Sequence, residues 1–112
     1  MTKEEILDAL SSLFIAAILL KKNRRGYGFY MASMLFTHWG IIINPRPVFD
    51  YLYRHGLATH EITRDDGAND YELTPKGLEK AKQVDVKALI PIIIPLFKGT
   101  KIEKILAFFN LE

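Results

Sequence analysis

A chain of 112 residues without cysteine can build one hydrophobic core, but no disulfide scaffold and no thiolate chemistry. A formal net charge of +2, with 49% hydrophobic and 25% charged residues, excludes a chromatin-type polycation and a disordered polyelectrolyte alike. The acidic opening Met1-Thr2-Lys3-Glu4-Glu5 lacks the basic head of a secretory leader, which points to a cytoplasmic protein.

The elements follow in order within one domain, 1–112, read as an N-terminal helix (1–22), a central unit (26–83) and an apolar C-terminal segment (86–112). Thr2 and Glu5 have capping-box spacing and open a helix that runs to about Lys22. Ile6, Leu7, Leu10, Phe14, Ala17 and Ile18 form one face, and Leu13, Ile15, Leu19 and Leu20 widen it. A helix apolar nearly all round must be covered on more than one side. In so small a domain the second cover is expected from another protomer. The apolar runs 13–20 and 88–97 both fall short of the ~18–20 residues that a membrane span needs, so no span is expected. Lys21, Lys22, Arg24 and Arg25 cluster at the helix end, where they either complement its dipole or hold phosphate.

A second helix is expected over 29–38, closed by Gly40, with Ile41-Ile42-Ile43 drawn into the core. Asn44 is placed to cap a helix starting at Pro45 and stopped by Gly56. Val48, Phe49 and Leu52 would face inward, Arg46, Asp50, Tyr53 and Arg54 outward, and Tyr51 would sit at the border. Alternating segments 58–63 and 70–74, joined by Arg64-Asp65-Asp66-Gly67-Ala68-Asn69, read as a hairpin. Thr74-Pro75 opens a helix to about Val84. Pro91 and Pro95 are expected to break the apolar stretch that follows. Thr100 and Glu103 form a second capping box, opening a last helix with Ile102, Ile105, Leu106 and Phe109 on one face.

From 25 to 83, about half the chain, these signals resemble the winged helix-turn-helix regulators of the PadR and MarR type. The resemblance rests on Gly26-Tyr27, on Tyr51-Leu52 followed by Gly56-Leu57, and on Tyr71-Glu72-Leu73-Thr74-Pro75-Lys76-Gly77. It implies a mostly α fold with a small β-hairpin (α+β), flanked by N- and C-terminal dimerisation helices. It also implies a homodimeric transcriptional regulator that reads double-stranded DNA with the helix at 45–56. Two features depart from the family. The recognition-helix start, Asn44-Pro45-Arg46-Pro47, has few hydroxyl donors, and the hairpin carries Arg64 against Glu61, Asp65, Asp66, Asp70 and Glu72. An acidic hairpin is repelled by phosphate, which keeps open a different class of function, a protein-interaction module in a larger regulatory assembly.

On the DNA reading, Arg46 is the candidate for a guanine edge. Asn44, Asp50 and Tyr51 are its neighbours at the groove. Arg54, Arg64 and the Lys21, Lys22, Arg24, Arg25 cluster would meet phosphate. His38, His55 and His60 lack metal-ligand spacing, and 65–70 lacks the alternating ligands of a calcium loop, so no metal or cofactor is expected. With no nucleophile–base pair and no phosphate-binding glycine loop, neither is catalysis. Tyr27, Phe29, Tyr30, Trp39, Phe49 and Tyr51 read as core aromatics, the alternative being a pocket for a small-molecule effector.

Overall fold

The computed structural model describes residues 1–21, 29–59, 62–63 and 69–111. Six α-helices appear among them: α1 (Lys3–Lys21), α2 (Phe29–His38), α3 (Arg46–Arg54), α4 (Pro75–Gln83), α5 (Val86–Ile93) and α6 (Ile102–Phe108). A 3-10 turn, Ile94–Leu96, continues α5.

The organising element is α1. Its capping box forms as expected: the Thr2 N–H donates to the Glu5 carboxylate, and the Glu5 N–H donates to the Thr2 hydroxyl, each at 3.1 Å. Beyond that first turn the helix is buried at Leu7 and continuously from Ala9 to Ile18, and α2, α3, α4 and α5 all pack against it. Phe14 fixes one side, its ring 5.1–5.5 Å from those of Phe29, Phe36 and Phe49. The apolar surface expected to need a second protomer is therefore covered by the chain's own helices, and burial of α1 no longer argues for a homodimer.

The fold class also needs correcting. Among the described residues, the segments expected to form a hairpin pair as β1 (Ile62–Thr63) with β2 (Asn69–Asp70), at an isolated bridge between Ala58 and Leu73, and through the Thr59 N–H to the Glu72 carbonyl at 2.9 Å. Strands two residues long make no layer and bury no helix. The fold is helical, neither the α+β class nor a winged helix-turn-helix, and the family resemblance loses its structural basis with it. The alternation at 58–63 and 70–74 is too short a signal to specify a sheet. Leu57 and Ala58 are buried in the same core as the helices.

Local signals fared unevenly. Thr74 caps α4, accepting the Gly77 N–H at 3.0 Å, with Pro75 in the first turn as expected. Gly56 adopts φ +70° after α3, and Leu57 N–H closes back onto Leu52 C=O at 2.8 Å, a Schellman-type stop. α3 begins one residue later than expected, with Pro45 at the cap position and the Asn44 side chain accepting the Arg46 N–H. Pro91 does not break α5 but lies inside it. Pro91 and Lys87, whose carbonyl loses its helical donor, are both exposed, so water can satisfy that carbonyl. The second capping box does not form. Thr100 turns its hydroxyl to the Phe97 carbonyl, and Lys101 takes the cap position without a side-chain bond.

The C-terminal segment closes onto the end of α2. Trp39 is fully buried, its ring 5.3 Å from that of Phe108 and 5.8 Å from that of Phe109, and its carbonyl accepts the Lys101 N–H at 2.6 Å. Gly40, at φ +83°, permits this closure, because a Cβ there would fall on the Gly99 carbonyl. Among the described residues no helix is long and apolar enough to cross a membrane.

Candidate nucleic-acid interface

Burying Val48, Tyr51 and Leu52 fixes the roll of α3 and sends Arg46, Asp50, Tyr53 and Arg54 outward. Spaced at i, i+4, i+7 and i+8, these four share one stripe. Arg46 is held in two ways. Its guanidinium donates to the Tyr71 hydroxyl at 2.8 Å, and its Nε lies 3.7 Å from the Asp50 carboxylate. Tyr71 is itself pinned, its ring 5.6 Å from that of Phe29 and 5.1 Å from that of Phe49. Arg46 therefore stands on a rigid base with more than half of its side chain in water.

Arg54 pairs with Glu4 at 3.4 Å and lies over the Tyr51 ring, again with about half of its side chain exposed. Exposed pairs of this kind are worth ~0–1 kcal/mol, so a phosphate can take either arginine at small cost. His55 is exposed as well, 3.9 Å from Glu4.

Tyr51 departs from expectation. It is only 6% exposed and turns away from the stripe, donating its hydroxyl to Asp8 of α1 at 3.0 Å. The same Asp8 oxygen accepts Lys80 of α4 at 3.1 Å. Burial, the Asp8 hydrogen bond and the charges of Asp8 and Glu4 push the Tyr51 phenol up to about 12. Tyr51 is thus a strut between α3 and α1, not a base contact. Lys21 is also engaged within the chain, half-buried with its ammonium 5.0 Å over the Phe108 ring. Asn44 is committed to the backbone of Arg46. Lys22, Arg24, Arg25 and Arg64 lie outside the described residues, as do Tyr27, His60 and the 65–68 loop.

The structure therefore brings Arg46, Asp50 and Arg54 together, leaves Asn44 as a brace and removes Tyr51. Sequence reasoning missed Glu4, Asp8, Lys80 and Tyr71, the groups that hold the stripe. Tyr71 and Asp8 lie 25 and 43 residues from their respective partners, and no local pattern marks such pairs.

A second surface feature runs along α1 where it meets α4 and α5, and its lining includes Glu4 and Asp8, the partners of Arg54 and Tyr51. Two adjoining depressions of about 330 and 380 Å³ share Leu89 as part of their floor. Ala9 and Ile92 extend the floor on one side, and Val84 and Ala88 on the other. No family model, curated protein or solved structure matches the chain.

Proposed function

We propose that the protein is a DNA-binding transcriptional regulator that engages double-stranded DNA through the outward stripe of α3. The observation that carries this reading is the posture of Arg46. It is half in water, held at the start of a helix by a tyrosine packed against two phenylalanines, and so preorganised for a bidentate contact to a base edge or phosphate. Arg54, two turns along, supplies a second cation on the same face. With α1 covered from within, a single copy suffices to present this stripe.

The test is fluorescence anisotropy of a labelled random duplex at roughly 50 and 200 mM salt. Contacts to phosphate give a binding constant that falls steeply over that range. Arg46→Ala with Arg54→Ala is expected to lower the salt slope by about 2, one unit for each phosphate that is no longer neutralised. A folded protein that ignores duplex DNA at the lower salt would end this reading. The protein-interaction module would then stand in its place, favoured by one observation: Asp50 sits between the two arginines and repels the phosphates they would attract.

A further inference from the structure

We propose, on the reading of α3 as the DNA-binding helix, that the Tyr71 hydroxyl and the Arg46 guanidinium together clamp one phosphodiester group of the DNA backbone. The Tyr71 oxygen accepts an N–H from Arg46 Nη1 at 2.8 Å, which leaves the phenol's own proton to act as a donor. Among the described residues that proton has no acceptor, and neither do the N–H groups of Arg46 Nη2. The Tyr71 ring packs against Phe29 and Phe49, which fixes where its hydroxyl lies. A cationic donor and a neutral one therefore stand side by side, the arginine more than half in water.

This donor set suits a phosphate better than a base edge. A guanine edge offers two acceptors in one plane, which an arginine fills alone. The non-bridging oxygens of a phosphate carry several lone pairs in different directions, so they accept a guanidinium and a neighbouring hydroxyl together. The backbone at the start of α3 cannot supply these bonds. Pro45 and Pro47 have no N–H, that of Arg46 goes to the Asn44 side chain, and those of Val48 and Phe49 go to the Pro45 carbonyl. Charge alone does not hold an anion here either, because the Asp50 carboxylate, 3.7 Å from Arg46 Nε, offsets part of the cation. Tyr71 adds a directed hydrogen bond at this point without adding a charge.

The test is anisotropy of a labelled duplex at roughly 50 and 200 mM salt, with the parent, Tyr71→Phe, Arg46→Ala and the two changes combined. Circular dichroism verifies that each variant is folded. Tyr71→Phe keeps the ring against Phe29 and Phe49 and removes only the donor. It should weaken binding by about fivefold at the lower salt. The salt slope should stay that of the parent, because a hydroxyl releases no counterion. The decisive comparison is made in the Arg46→Ala background. A hydroxyl that touches phosphate itself still weakens binding by about threefold or more when it is removed there, whereas one that only braces Arg46 has no further effect. Equal affinity in Tyr71→Phe and the parent, or a loss that vanishes once Arg46 is alanine, overturns the clamp and leaves α3 as the DNA-binding helix. A folded parent that ignores the duplex at the lower salt overturns that reading and the clamp together.

Discussion

At the scale of single residues, Tyr51 and Asp8 carry the most consequence. Their hydrogen bond joins α3 to α1 in a place where the phenol is shielded from water, and the phenol titrates near 12, well above its ordinary 10. Because the folded value is the higher one, the stabilisation is complete below pH 10. It is lost as the pH rises through 12, where the unfolded chain releases its proton more readily. A raised value of that size corresponds to about 2–3 kcal/mol at most. Tyr51→Phe should cost about 1–2 kcal/mol in urea unfolding at neutral pH, because Asp8 keeps Lys80 as a partner. The same variant should lose less stability than the parent between pH 10 and 12, and parallel loss in the two proteins would show that Tyr51 does not titrate in this way. This strut is invisible in the sequence, where the spacing of Tyr51 leaves it at the helix border. Asp70 is hidden for a similar reason. Its neighbours make it look like one more charge in an acidic hairpin, yet it is buried and accepts the Phe29 N–H at the start of α2, 41 residues away.

At the scale of elements, what was legible depended on how far a signal had to reach. The Thr2–Glu5 box, the Thr74-Pro75 start and the Gly56 stop are complete within a few residues, and all three stand in the structure. Thr100–Glu103 has the same spacing but fails, because the Phe97 carbonyl captures the threonine first. The strands failed for want of a partner layer. Gly77 illustrates a constraint that no propensity reveals. It sits inside α4 at ordinary helical φ, but a Cβ there would fall on the Leu57 carbonyl, which accepts the Thr74 N–H. Gly77→Ala, which should favour a helix by propensity, is expected instead to destabilise by about 1–3 kcal/mol through forced separation of α4 from the Leu57 turn. A thermal melt that rises for this variant would refute the close contact.

At the scale of the whole molecule, the single tryptophan reports on closure of the C-terminal segment, while far-UV dichroism reports on α1 and the helices around it. Trp39 is buried among Phe36, Phe108 and Phe109 and tied to Lys101 through its own carbonyl. If α6 folds as one body with the rest, the fluorescence and dichroism transitions in urea should coincide. A fluorescence change at lower urea would identify α6 as a separately opening unit. The sequence made clear that the first helix had to be covered on several sides, but periodicity cannot say by whom. The covering residues sit on four other helices, and only the tertiary arrangement of the chain assigns them.

The position of α1 in the chain has a consequence during synthesis. This helix leaves the ribosome before every element that covers it. At ~5–20 residues per second, the interval between Lys21 and Val86 lasts on the order of several seconds. For that time the helix at the centre of the fold lacks the last of its walls, which is encoded far downstream. The yield of folded protein during synthesis should therefore depend on how quickly α4 and α5 emerge.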